Sequence, residues 1–289
     1  MDVIAQVILS SLGLGMLYGA VGVGFVIVHR MTGMVNFAQG EIAVVGAFGA
    51  VVASAVLPPL LAILAGAVTA AIASAIMYWL AIYPIRRQAL LVQTIVTLGV
   101  GILMRSIIQL VFGTGPQQFD PITAGPALSV LGGRITQQAV WLVAISVAAY
   151  ILLTWFFDRT LTGKALSACA VNPYAAGIVG INLSVMATIA FAVSGAISGG
   201  VLAAQVPISF IAVGGGLILG LKGFIAAILG GFDRIGLTFV GGVLVALVEV
   251  SVARFISAGF SGIVLFLLLI VLLIVRPQGL TRMVVTDRV

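Results

Sequence analysis

Charge is what this sequence has least of. Asp, Glu, Lys and Arg together make up 7% of its 289 residues, against roughly a quarter in an ordinary soluble domain. The single cysteine, Cys169, excludes an internal disulfide and leaves the redox compartment unread. One histidine and one cysteine leave too few ligands for a metal site. A Ser-His-Asp hydrolase would have to use His29, which sits beside Arg30 at the end of an apolar run. There is no G-x-x-x-x-G-K-[ST] phosphate loop. The nearest approach, Gly163-Lys164-Ala165, lacks both the upstream glycine and the hydroxyl residue. Any uphill movement of solute must then be driven by an ion gradient or by another subunit.

What fills the chain is apolar. Hydrophobic residues reach 62% and the mean hydropathy is +1.34. That pattern describes a polytopic membrane protein with little left for a soluble domain. A pI near 10.1 fits Lys and Arg holding cytoplasmic loops in place better than it fits nucleic acid binding. The N-terminus lacks a basic start, short apolar core and cleavage site in that order, so it is read as a membrane helix. The 36 glycines point to close helix packing, broken helices or both.

A spanning helix needs about 20 apolar residues. Runs at 4–28, 34–54, 60–82, 91–112, 139–157, 184–204, 209–231, 236–253 and 258–275 give about nine segments. The 209–231 run is interrupted by Gly214, Gly215 and Gly216 after Pro207, so a broken or re-entrant segment is expected there. Glycine-interrupted runs early and late in the chain make an internal inverted repeat plausible. Two longer polar intervals remain, 113–138 and 158–183. In the second, Ala165–Ala170 reads as helix. Pro173 suits the first turn of another, with Asn172 as its N-cap. Placing the C-terminus in the cytoplasm puts Arg30, Arg86, Arg87, Arg159, Lys164, Arg234, Arg276, Arg282 and Arg288 inside, and Arg134 and Arg254 outside. The expected orientation is therefore N-terminus out and C-terminus in. The 158–183 loop then faces the cytoplasm and the 113–138 loop faces outward.

The stretch Val35–Gly46, VNFAQGEIAVVG, sets Asn36, Gln39 and Glu41 at the mouth of a membrane segment. A carboxylate in the bilayer centre costs about 2.5–3.5 kcal/mol on insertion scales, so it should face protein or water. Glu41 and Glu249 are the in-membrane carboxylates. They either line a water-filled vestibule or pair with Arg105 and Lys222 to hold helices together. The 158–183 loop carries small residues and an aromatic around Pro173 and Tyr174. That face suits a groove on a soluble partner; the plainer alternative is a helix lying on the bilayer.

Several stretches together resemble the permease subunits of branched-chain amino acid ABC importers, of LivH type. They are NFAQGE (36–41), TIVTLGVGILMR (94–105), GKALSACAVNPYAAGIVGIN (163–182), GLKGFIAAILGG (220–231), GGVLVALVE (241–249) and RPQGL (276–280). The resemblance implies an all-α ABC importer permease fold, one transmembrane domain over 1–289 with about 8–9 segments, in a prokaryotic inner membrane. It implies a LivM-type second permease subunit, two ATP-binding subunits that hold ATP and Mg, and a periplasmic binding protein. This chain would then be no enzyme, with no cofactor, metal or nucleic acid of its own. Residues matching the family's coupling segment are Lys164, Asn172, Pro173, Tyr174 and Ala175. Asn36, Gln39, Glu41, Thr97 and Glu249 are candidates for the translocation path. Two features depart from the pattern: Phe232, Asp233 and Arg234 stand where smaller residues are expected, and Gln39 stands where many relatives carry His. The implied solute is a branched-chain or related amino acid. Urea, amides, organic acids and sugars are the alternatives within ABC permeases. An ion-coupled carrier working alone and a scaffold without transport are the rivals outside them.

Overall fold

A computed structural model describes residues 3–130, 132–232 and 234–275. Asp233, the RPQGL stretch and the basic tail with Arg282 and Arg288 lie outside the described residues. In hydrocarbon every backbone N–H and C=O must be paired within the protein, so apolar runs become helices. The chain in order is α1 (Val3–Thr32), α2 (Gln39–Ala53), α3 (Pro59–Met77), α4 (Leu90–Phe112), β1 (Leu128–Val130), β2 (Gly133–Ile135), α5 (Gln137–Arg159), α6 (Leu161–Val171), α7 (Pro173–Ile178), α8 (Leu183–Gln205), α9 (Gly216–Leu229), α10 (Ile235–Phe255) and α11 (Ala258–Val275). Six helices are long and apolar enough to cross a membrane. Those six are counted among the described residues, and α2, α9 and α11 are shorter apolar helices, so the nine expected segments appear as apolar helices without nine full-length spans. At 15 residues and 1.5 Å per residue, α2 reaches only about 22 Å. It cannot cross a hydrocarbon core of about 30 Å by itself.

The helix starts follow local chemistry. Pro59 and Pro173 stand at first-turn positions of α3 and α7, where no N–H is missed. Asn172 and Asn182 cap α7 and α8 with side-chain oxygens that accept from Ala175 N at 3.0 Å and Ser184 N at 3.1 Å. The α3 helix runs on through a π turn at Tyr78–Ile82 and a 3-10 turn at Tyr83–Ile85. The 205–235 region breaks where expected. A 3-10 turn at Val213–Gly215 precedes α9, and the break lies ahead of that helix rather than inside it. The 113–138 interval holds a short antiparallel hairpin, β1 on β2, that the polar sequence did not announce. Gln117 bridges to Ile211, tying this interval to the segment before α9.

Burial sorts the helices. In its most apolar stretch α1 is 78% buried, whereas α4 and α5 are 17% buried. The central layer is therefore α1 against α10, α8 and α9, with α2 wedged between α3, α8 and α9. The helices α4 and α5 form the flanks. The N-terminal end of α1, the hairpin and the C-terminal end of α8 meet at one end of the bundle, around Gln6, Arg134 and Gln205. The other end gathers Arg30, Phe157, Leu166 and Ile235.

Small residues set the spacing of the central layer. A β-carbon at Gly46 of α2 would stand 2.7 Å from Gly199 Cα of α8 and 2.8 Å from the Gly66 carbonyl oxygen of α3. Both neighbours are backbone, so neither can swing away. Gly46→Val should overpack this junction by about 1–3 kcal/mol and lower the unfolding temperature in detergent. Gly99→Ala on α4, with nothing within 4 Å of the new methyl, should not lower it. Equal losses for the two would contradict the packing described.

Candidate functional site

The polar entrance to α2 is a closed knot. Gly33 ends α1 in the left-handed region, at φ +76°. The Ala38 amide then donates to Asn36 Oδ1 at 3.2 Å, and the Phe37 amide donates to Thr97 Oγ1 of α4 at 3.0 Å. Gln39 Nε2 donates to Ser198 Oγ at 2.9 Å and to the Ser194 carbonyl at 3.2 Å, both on α8. Its Oε1 accepts from Ser194 Oγ at 2.8 Å and from Asn36 Nδ2 at 3.4 Å. Ser194 Oγ also lies 3.1 Å from the Gly24 carbonyl of α1. Asn36, Gln39, Thr97, Ser194 and Ser198 are all 0% exposed. Four segments thus share one set of hydrogen bonds, and the Gln39 amide is fully used. The two serines were missed in the sequence. Their signal is the pair of Ser-Gly dipeptides, 194–195 and 198–199, one helical turn apart in an apolar run.

Glu249 of α10 is paired. Lys222 Nζ of α9 lies 2.7 Å from Glu249 Oε1. The Tyr18 hydroxyl of α1 donates to Oε2 at 2.8 Å, and Lys222 Nζ also reaches that hydroxyl at 3.1 Å. Both carboxylate oxygens have a partner, and three helices of the central layer are joined. Nothing in the apolar run around Tyr18 marked it as a partner.

Glu41 is placed differently. It stands in the first turn of α2 and is 5% exposed. Its carboxylate lies against Gly216 and the Leu217 amide, at the start of α9. That helix end is the positive pole of a dipole, and any side chain at 216 would strike the carboxylate. Gly101 of α4 packs on the Glu41 side chain, with its β-carbon position 3.6 Å from Glu41 Cγ. One turn further along α4 is Arg105, which is exposed. Arg105 acts on Glu41 through its charge but forms no salt bridge to it. Its Nη2 lies 3.4 Å from the β-carbon position of Gly214. Glu41 Oε2 has no hydrogen-bond partner.

At the end of the bundle that gathers Arg30 and Ile235, α5, α6 and α7 follow one another almost without linker. Thr160 joins two of them: its hydroxyl donates to the Phe156 carbonyl at 2.6 Å and accepts from the Gly163 amide at 3.0 Å. Gly163, Leu166, Cys169 and Ala176 turn inward, while Lys164, Asn172, Pro173, Tyr174 and Ala175 are all exposed. Tyr174, Ile178 and Val179 are 79%, 70% and 76% exposed, an apolar face left uncovered among the described residues. Nearby, Phe232 adopts a left-handed backbone at φ +56° and sets its ring on His29, with centroids 4.9 Å apart. Among the described residues no group of three or more His, Cys, Asp or Glu could hold a metal ion.

Comparison with known proteins agrees over nearly the whole chain. The sequence model of the family described as branched-chain amino acid transport system / permease component matches residues 7–273. The high-affinity branched-chain amino acid transport system permease protein LivH of Escherichia coli (strain K12) is 28% identical, covering 95% of this chain and 94% of that protein. The corresponding BraD protein of Pseudomonas aeruginosa is 27% identical over the same shares. Among solved structures, a metal-chelate type ABC transporter in an inward-facing conformation aligns with a TM-score of 0.55 and 16% identity. The alignment covers 94% of this chain and 89% of that one. This last likeness concerns the fold.

The Glu249 arrangement makes a direct prediction. Lys222→Ala or Glu249→Ala strands one charge among three helices and should cost about 3–5 kcal/mol. The double change Lys222→Met with Glu249→Leu should cost less than either single one. Thermal unfolding of the purified chain in detergent measures all three, and a double variant weaker than both singles would count against the pairing.

Proposed function

Since the chain belongs to the branched-chain amino acid transport permease family, we propose that it is one of two permease subunits enclosing the path of an ABC importer for small amino acids. In this reading the second subunit is a related LivM-type permease. Two ATP-binding subunits, which hold ATP and Mg, dock on the cytoplasmic face, and a periplasmic binding protein delivers the solute. The chain lies in a prokaryotic inner membrane with its N-terminus outside and its C-terminus in the cytoplasm. The solute class rests on the relatives, which transport branched-chain amino acids by name.

The observation that carries the reading is the exposed α6–α7 pair. A tether between membrane helices has no need of two capped helices, and a surface helix lying on lipid would not present Lys164, Asn172 and Tyr174 together. The pair offers a stiff, partly apolar face suited to a groove between domains of an ATPase. Its stiffness has a source. Thr160 locks the end of α5 to the start of α6, and Asn172 and Asn182 cap the next two helices. ATP-driven closure beneath would push this face and move α5 and α8 as rigid bodies, which is the gating that such a lever permits.

Purification of the tagged chain from membranes that also hold its partners tests the docking face. ATP-binding subunits should accompany the native chain. They should be lost with Tyr174→Asp plus Ala175→Arg, while the chain itself remains folded and at normal abundance. If no ATPase ever accompanies the native chain, the reading is wrong.

A further inference from the structure

An arginine exposed on an apolar helix needs an explanation. Helix α4 presents Leu103 and Ile107 outward on one side, as lipid contact requires. Arg105 and Gln109 are also exposed, a turn apart on the opposite side, on a strip they share with Leu98 and Ile102. On insertion scales an arginine at the bilayer centre costs about 2.5–3.5 kcal/mol. A guanidinium without a salt bridge there, followed by an amide, belongs to a water-filled or subunit-lined surface. The strip leads to Glu41, whose buried Oε2 lacks any partner. A buried carboxylate oxygen is an acceptor that calls for a donor. Between the two charges the chain supplies glycine at 101 and at 214–216. The β-carbon position of Gly215 has nothing within 4 Å, so the glycine turn is open on that side, while Glu41 itself is packed against Gly216.

The geometry points to Arg105 and Glu41, set over the start of α9, as a transient station for the α-carboxylate and α-ammonium groups of a free amino acid in transit. The inference rests on the permease reading above and deepens it. Arg105 faces the carboxylate, beside the glycine backbone at 214–215. Glu41 Oε2 faces the ammonium. Gln109 lies on the approach from the end of α4. Such a station binds the groups all α-amino acids share and leaves the solute's side chain to apolar surroundings. Selection among side chains is then left to another component. The buried knot around Gln39 has no free donor or acceptor on Gln39 to offer a solute, which is why the path is placed on the Arg105 side of α4.

Cysteine chemistry tests this in the complete transporter. Burial pushes the Cys169 thiol up from its ordinary range, so the native thiol reacts poorly, and Cys169→Ala removes it altogether. In that background, Arg105→Cys should lower ATP-driven leucine uptake on the order of tenfold or more, the loss of one charge-assisted contact. An ammonium-bearing methanethiosulfonate should react at position 105 and restore much of the uptake. A sulfonate-bearing one should react without restoring it. Ile107→Cys, on the lipid side, should not react. Native uptake by Arg105→Cys, no reaction at 105, or equal rescue by both reagents would each overturn the proposal. If Arg105→Cys fails to assemble, Arg105→Lys and Arg105→Gln replace it. Uptake kept by lysine and lost by glutamine in an assembled complex supports the station, whereas failure of both to assemble makes Arg105 a structural cation and overturns it. Uptake absent from the native complex fells the permease reading along with the station; native uptake with an indifferent Arg105 fells the station alone.

Discussion

Within hydrocarbon, Gln39 has no water to turn to. Its side-chain amide is a pair of donors and a pair of acceptor sites that the protein itself must fill. The fold fills them with Ser194, Ser198 and Asn36, and the same bonds bring α1, α2 and α8 to fixed mutual positions. Much of the central layer depends on that requirement. Gly24 is needed because a β-carbon there would strike the Gln39 amide, while Gly46, Gly195 and Gly199 let the backbones of α2, α3 and α8 come close beside it. Close backbones in turn favour small residues on every facing surface, which is why so apolar a chain carries so many glycines.

The charges within the membrane meet the same requirement in two ways. Lys222, Glu249 and Tyr18 satisfy one another, and the result is a joint between α1, α9 and α10 with no oxygen of Glu249 left over. Glu41 and Arg105 are left incomplete. One carboxylate oxygen is buried without a donor, and the guanidinium makes no salt bridge among the described residues. A complete joint resists motion, since opening it strands a charge. An incomplete pair can accept a passing partner and release it. The contrast separates by geometry two carboxylates that look alike in sequence, each a glutamate in an apolar, glycine-rich run.

Much of the fold was legible because membrane helices are written locally. The ends of α4, α8 and α10 fall close to the limits of the apolar runs, and Asn172 caps α7 as its place before Pro173 implies. The Lys222–Glu249 pair, one of the partnerships considered for the in-membrane charges, is present in the structure. What could not be read was long-range. Gln39 and Ser194 are separated by 155 positions and Tyr18 and Glu249 by 231, and no local pattern carries such pairings. The β1–β2 hairpin was hidden because three exposed residues on β1 give no alternation to detect. Arg105 stood out as a charge in the membrane, yet only the position of Gly214 and the start of α9 shows which way it faces.

These arrangements bear on how a push at one end would arrive at the path. Helix α8 begins beside the exposed α7 face, at the Asn182 cap, and carries Ser194 and Ser198 into the knot. The knot holds the start of α2, and the first turn of α2 carries Glu41 against α9. Each link is a packed helix or a filled set of hydrogen bonds. None can slip by an ångström or two without leaving a polar group unpaired in hydrocarbon, at a cost of a few kcal/mol. Displacement of α7 must then move α8 and the entrance of α2 together, as one body. The part free to yield is the contact of Glu41 and Arg105 with the glycine turn before α9, where Glu41 Oε2 lacks a partner and no Arg105 salt bridge would have to break. In the importer proposed here, motion driven from the α7 end would concentrate at that incomplete charge pair.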